Sequence, residues 1–256
     1  MSKLNIAEQF YTLQGEGEFV GVPSVFLRLA GCNLACGATE TPLQEVDEDH
    51  EPDGDATWRC DTIEVWREAS ESLSPEETFE VWQEEGWIDH IRSGAHIVLT
   101  GGEPTLPTHQ EAFVGLYAEF IKEDVVPFVE VETNGTIVPS DTFDRYVDQY
   151  NVSVKLANSG HQEDVRRKED AIQWHADNRT SSTFKFVVSR QEDIEEVKEI
   201  QEQFSIPSSQ ILLMPAGQNQ SQLSETYPSV AELCKQEGYR FSQRLHVELW
   251  NEKTGV

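Results

Sequence analysis

The chain has 256 residues, 47 acidic against 19 basic, for a formal charge of −28, with 38% hydrophobic and 9% aromatic residues. That length buries most of its apolar surface without a disulfide scaffold, the aromatic content excludes an acidic disordered chain, and the shortage of basic residues argues against direct nucleic-acid binding. No apolar stretch approaches the ~20 residues of a membrane span, and Met1-Ser2-Lys3-Leu4-Asn5 lacks the apolar run of a signal peptide, so no membrane partner and a cytoplasmic location are expected.

In chain order, apolar runs at residues 24–29, 96–100, 128–132, 152–155, 184–188, 211–214 and 245–250 read as strands, with helical stretches between most of them. Ser74-Pro75-Glu76-Glu77 has the form of a helix start, with Ser74 as cap, Pro75 at the first helical position and Glu77 closing a capping box. Thr108 and Glu111 repeat the device before Ala112-Phe113. Ile194, Val197, Ile200 and Phe204 recur at helical spacing and predict one apolar face on an acidic helix. Cys234 shares a helical face with Val230 and Leu233 and reads as a small buried hydrophobe. Repeated strand–helix units predict an α/β fold with a mostly parallel sheet, doubly wound or closed toward a barrel. No repeat or low-complexity linker interrupts the chain, which predicts one domain over residues 1–256.

Acidic residues are spread over every segment, a pattern suited to very high salt, where a Debye length of ~3 Å at 1 M screens self-repulsion. They are densest at residues 37–59, with Glu40, Glu45, Asp47, Glu48, Asp49, Glu51, Asp53 and Asp55 around His50. This run lacks the glycine and spacing of an EF-hand and reads as a solvated insertion. Cys32, Cys36 and Cys60 flank it. Taken alone, these thiols fit either buried cysteines or a metal site, such as zinc with one histidine. Their surroundings favour a ligand. Gly31-Cys32-Asn33-Leu34-Ala35-Cys36 follows a strand end, as do Thr100-Gly101-Gly102-Glu103-Pro104 and Glu132-Thr133-Asn134-Gly135-Thr136, where α/β sheets and barrels place their ligands.

These motifs resemble the radical S-adenosylmethionine (SAM) superfamily. Within it, Phe10-Tyr11-Thr12-Leu13-Gln14-Gly15-Glu16-Gly17, Gly21-Val22-Pro23-Ser24 and Phe26-Leu27-Arg28-Leu29-Ala30-Gly31-Cys32-Asn33 resemble the 7-carboxy-7-deazaguanine synthase family. The chain departs from the usual superfamily spacing of two residues before the third cysteine, and Trp58-Arg59-Cys60-Asp61-Thr62 is similar to the end of the displaced motif. The resemblance implies a partial (β/α) barrel and a [4Fe–4S] cluster on Cys32, Cys36 and Cys60, with one iron open to SAM. It implies SAM contacts at Gly102, Glu103, Asn134, Ser153 and Lys155, more loosely at Met214-Pro215-Ala216-Gly217, and Mg²⁺ on Thr62. The implied reaction converts 6-carboxy-5,6,7,8-tetrahydropterin to 7-carboxy-7-deazaguanine with loss of ammonia, toward queuosine or archaeosine in tRNA. Leu13, Gln14, Gly15, Arg28 and Thr100 would meet the pterin, Arg28 through its planar fork on the substrate carboxylate. A homodimer and a flavodoxin- or ferredoxin-type electron donor are also implied. The competing readings are an activase that installs a glycyl radical, a non-enzymatic zinc or iron–sulfur module, Arg28 paired with an acid, Thr62 as an ordinary helix cap, and His246 packed in the core beside the last strand.

Overall fold

The computed structural model describes residues 2–47, 49–178, 181–253 and 255. Leu4 and Ile6 begin an inward-facing alternation that a bulge between Ile6 and Glu8 interrupts, with Ala7 buried as well. That break hides the first strand, β1 (Leu4–Leu13), from a search for period-two patterning. β1 pairs antiparallel with β2 (Pro23–Leu29) and with the short β3 (Glu71–Leu73). From β2 onward the neighbours are parallel, through β4 (His96–Gly101), β5 (Val129–Thr133), β6 (Gln149–Val152), β7 (Ser182–Val188), β8 (Ile211–Pro215) and β9 (Arg240–Phe241). The order β3-β1-β2-β4-β5-β6-β7-β8-β9 leaves two edges, so the mostly parallel sheet forms a partial barrel, as expected.

Parallel neighbours require crossovers, and helices supply them. In chain order these are α1 (Ile63–Trp66), α2 (Pro75–Glu84), α3 (Trp87–Arg92), α4 (Pro107–Lys122), α5 (Asp141–Asp144), α6 (Glu163–Arg166), α7 (Glu169–Asp177), α8 (Asp193–Phe204), α9 (Gln220–Glu237) and α10 (Leu245–Trp250). The core lies between the helices and one sheet face, where Leu27, Leu99 and Val131 share a cluster with Trp82, Phe113 and Phe120. On α8 the apolar face is the expected one, with Ile194, Val197, Ile200 and Phe204 all buried, and Cys234 is buried on α9 beside Val230 and Leu233. Among the described residues no helix is long and apolar enough to cross a membrane.

Three expectations need correction. The strand expected at 152–155 is β6, three residues earlier, because its polar Gln149 and Asn151 are buried and satisfied by side-chain hydrogen bonds, Gln149 Nε2 to Thr183 Oγ1 at 3.2 Å and Asn151 Nδ2 to Glu132 Oε1 at 2.9 Å. Residues 245–250 form α10: Leu245, Val247 and Leu249 imitate a strand, but Leu249 is exposed, Val247 alone is fully buried, and the helix docks through Leu245 N–H on the Gly15 carbonyl at 2.9 Å. The capping box at Ser74 and Glu77 forms reciprocally, at 3.2 and 2.7 Å, but the one expected at Thr108 and Glu111 does not. Pro107 takes the first helical position, so α4 starts earlier, on Leu106, whose carbonyl accepts from His109 and Gln110.

Candidate active site

All the parallel strands point their C-terminal ends to one side, and a cavity of about 1290 Å³ opens there. At its floor the end of β4 lies against the turn after β2. A Cβ on Gly102 would sit 1.9 Å from the Gly31 carbonyl oxygen, and one on Gly101, at φ +128°, 2.2 Å from the Leu29 carbonyl oxygen, so no larger residue fits at either position. Gly102 and Glu103 donate their amides to the carbonyls of Leu29 and Gly31 at 3.0 and 2.9 Å. The diglycine therefore holds β4 against the segment that carries Cys32.

Cys32, Cys36 and Cys60 line this cavity, unpaired by disulfides. Cys60 N–H donates to the Cys36 carbonyl at 3.0 Å, so the chain leaves at residue 37 and returns at 59 beside its starting point. Gly37, at φ +78°, permits the crossing, since a Cβ there would lie 2.4 Å from the Arg59 backbone. The segment between is anchored as well as solvated. Val46 and Ala38 pack with Ile63 and Trp66 of α1, Arg67 Nη1 donates to the Val46 carbonyl at 2.6 Å, and Trp58 Nε1 donates to Asn158 Oδ1 at 2.8 Å. Asp53 accepts the Thr39 amide at 2.7 Å, while Glu40, Glu45, Asp47, Asp49, Glu51 and Asp55 are exposed; Glu48 lies outside the described residues.

Burial pushes the Cys32 thiol far above its usual range, with Glu103 and the other two thiols adding to the rise; burial likewise pushes Cys36 up to about 12, against the pull of Lys155. Cys32 and Cys36 therefore resist ionisation until a metal supplies positive charge. Among the described residues no three His, Cys, Asp or Glu side chains close round a single-ion position. Three thiols lining one cavity match the donor set of an iron–sulfur cluster with one open iron. Thr62 occupies the N-cap position of α1, yet its hydroxyl caps nothing and lies 3.5 Å from Cys60 Sγ at the cavity wall.

The motifs after β4 and β5 are tied together by Glu103, which is fully buried and does not line the cavity. Its carboxylate accepts Thr105 N and Oγ1 and Thr133 Oγ1 on one oxygen, and Asn134 N at 2.7 Å on the other. Asn134 in turn donates to Asn33 Oδ1 at 2.8 Å and reaches Cys32 Sγ at 3.9 Å. Ser153 and Lys155, just past β6, both line the cavity and bond each other at 2.8 Å, with the Lys155 ammonium 5.7 Å above the Trp58 ring. His161 Nε2 accepts the Ala35 amide at 2.9 Å, and burial, aided by Lys155 and Arg166, lowers its pKa toward the neutral form this bond needs.

Leu13, Gln14, Gly15, Arg28 and Thr100 all line the cavity. Arg28 and Thr100 are register partners on β2 and β4, and Glu8 stands opposite Arg28 on β1. Arg28 Nε pairs with Glu8 at 2.6 Å, and its two terminal nitrogens make no hydrogen bond among the described residues. Gln14 Nε2 is engaged by Glu130 at 3.2 Å and Glu132 at 3.3 Å. From Glu132 a row of alternating charges crosses the cavity floor. Lys185 Nζ bridges Glu132 at 2.8 Å and Glu16 at 2.7 Å, and Arg244 joins Glu16 to Asp61. Burial would raise the Glu16 carboxyl, but Lys185 and Arg244 hold it well below the usual value, whereas Glu132, with one cation, is raised by burial. His246, on α10, lies beside this row and is lowered by burial.

Glu16, Asp61, Glu132, Lys185 and Arg244 are cavity-lining residues that sequence reasoning missed, as is the buried Glu130 behind Gln14. Lys185 carried a signal, a lone charge inside the apolar run Phe184-Lys185-Phe186, as did Glu130 and Glu132, alternating along a buried strand. Arg244 carried none, because its partners come from distant segments.

No family model matches the chain. Across nearly its whole length it is similar to the 7-carboxy-7-deazaguanine synthase of Halobacterium salinarum, 32% identical over 270 residues that cover 97% of this chain and 91% of that one. The protein of the same name from Pyrobaculum aerophilum is 30% identical over 260 residues, covering 99% and 97%. The crystal structure of QueE from Escherichia coli matches with a TM-score of 0.61 at 26% identity, covering 96% of each chain. Identity of 30% or more over nearly the whole length of both chains means that the chain belongs to the 7-carboxy-7-deazaguanine synthase family.

Proposed function

We propose that this protein is a radical SAM carbon–nitrogen lyase that converts 6-carboxy-5,6,7,8-tetrahydropterin to 7-carboxy-7-deazaguanine with loss of ammonia. The convergence of Cys32, Cys36 and Cys60 on one large cavity, with the Thr62 hydroxyl beside Cys60 and not engaged in capping α1, carries the reading. Its cofactors are a [4Fe–4S] cluster, SAM and Mg²⁺; when bound, the cluster and SAM supply the hydrogen-abstracting radical.

In this reading the three cysteines hold three irons, and Asn134 and His161 fix the backbone around them. The Gly102 carbonyl, which accepts no hydrogen bond among the described residues, receives the SAM amine, with Asn134, Ser153 and Lys155 along the rest of the cofactor. Glu103 contributes by holding Thr133 and Asn134 in place. Thr62 offers one oxygen to Mg²⁺, which keeps water or substrate for the others. Arg28 turns its terminal nitrogens to the substrate carboxylate, opposite Thr100, while Leu13, Gln14 and Gly15 meet the flat ring. The resemblance of residues 10–24 to the synthase family, together with Leu13, Gln14 and Gly15 on the cavity wall, supports a pterin over a protein radical acceptor.

We also propose that residues 1–256 act as one domain with 37–59 as its insertion. The protein would work as a homodimer in the cytoplasm of a halophile, reduced by a flavodoxin- or ferredoxin-type donor; the charge of −28 supports the saline setting. Anaerobic reconstitution tests the reading: a brown protein with four irons that forms an ultraviolet-detectable deazaguanine from the carboxypterin supports it. A colourless protein with one zinc and no sulfide overturns it, as does a Cys60→Ala variant that assembles the cluster and cleaves SAM unimpaired.

A further inference from the structure

Arg244 joins the two halves of the site. It is 7% exposed, and its guanidinium reaches partners from three distant segments besides its own. Nε donates to Glu16 Oε1 at 2.9 Å, Nη1 to the Gly217 carbonyl, Nη2 to Asp61 Oδ2, and Nη2 also lies 3.4 Å from His246 Nε2. Its own amide donates to the Tyr227 hydroxyl at 2.9 Å, and that phenol is anchored on Glu248 at 2.7 Å, so the backbone is pinned as firmly as the side chain. Glu16 lies in the glycine-rich entry beside Gln14 and Gly15. Asp61 stands between Cys60 and Thr62, and Arg244 is its ion-pair partner among the described residues. A planar fork with donors on three nitrogens can hold two carboxylates and a carbonyl at fixed angles; an ammonium, a single point charge, cannot.

We propose that Arg244 is a positioning residue, a brace that ties Glu16 in the pterin pocket to the Cys60-Asp61-Thr62 segment, so that pterin and Mg²⁺ bind with mutual assistance. The inference rests on the proposed function, because it needs the pterin in that pocket and the cation on Thr62. Coupling passes through a two-sided contact: whatever shifts Glu16 shifts the guanidinium, and with it Asp61 and the adjoining Thr62.

The test compares wild type with Arg244→Lys, Asp61→Asn and the double variant, all reconstituted anaerobically. Iron content and near-ultraviolet dichroism check cluster assembly and folding, and calorimetry on the unreduced protein gives pterin affinity with and without Mg²⁺. In wild type Mg²⁺ tightens pterin binding. In both single variants iron content holds while that tightening falls about tenfold, and the double variant loses no more than either single one, because both cut the same link. Variants that keep the wild-type response to Mg²⁺ overturn the brace, and so does an equal loss of pterin affinity with and without Mg²⁺, which would mark a merely structural role. A wild-type protein that binds no pterin at all overturns the functional reading itself, a result distinct from either.

Discussion

Lys185 shows what a single buried charge does when its neighbours are also charged. It is 4% exposed on an otherwise apolar strand and touches both Glu16 and Glu132. Lys185→Met leaves the mostly buried Glu132 without its cation while Glu16 keeps Arg244, and removing one partner of such a buried pair costs up to about 3 kcal/mol. Urea unfolding of Lys185→Met is expected to register that loss, and adding Glu132→Gln to restore part of it, since Glu132 is the carboxyl that burial already raises. His175 makes a different demand on pH. It is fully buried with Nε2 unpartnered, and burial pushes it down to about 3. The folded protein therefore keeps this ring neutral while the unfolded chain protonates it below about pH 6.5. Stability falls with acidification from there, by about 1.4 kcal/mol per pH unit at most, and levels off below about pH 3. Glu16 and Asp61, whose carboxyls are held low in the folded state, add to the loss once the pH drops through their unfolded values. His175→Phe should make the segment between pH 6.5 and 4 shallower in chemical denaturation, with His161 and His246, also lowered by burial, keeping part of the slope and the Glu16 segment left in place.

At the level of elements, the two expected capping boxes make a matched pair. Ser74 bonds Glu77 in both directions, so Ser74→Ala should cost about 1 kcal/mol. Thr108 lies inside the first turn of α4, so Thr108→Ala should change the unfolding midpoint by less than half as much. The contrast explains how far the sequence could be read. Where one local rule decided an element, as with Ser74 at α2, the apolar face of α8 and the buried runs of β4, β7 and β8, the reading and the fold agree to within a residue or two. Where a second influence intervened, it misled: the bulge in β1, the satisfied polar residues of β6, Pro107 ahead of Thr108, and the chance alternation of Leu245, Val247 and Leu249. The site follows the same division. Its cysteines and glycines form contiguous strings after strands and could be found, whereas the row from Glu132 to Asp61 draws its members from five separated segments, and only folding brings them together.

For the whole molecule the dominant quantity is charge. Like charges over the entire surface destabilise the compact state in dilute buffer, and salt relieves this as the Debye length contracts from ~10 Å at 0.1 M to ~3 Å at 1 M. The melting temperature should therefore climb as KCl rises from 0.1 to 2 M; a flat or falling curve in scanning calorimetry would contradict the saline reading. The same screening removes the repulsion that keeps neighbouring copies apart, just when crowding by ions favours association. An open nine-stranded sheet would then be vulnerable along its rims, were they long. The outermost strands themselves span three residues, Glu71–Leu73, and two, Arg240–Phe241, too few by themselves to template a lasting ladder with another chain. In brine, where electrostatic defence is spent, stubby margins are what preserve the protein from fibrous clumping.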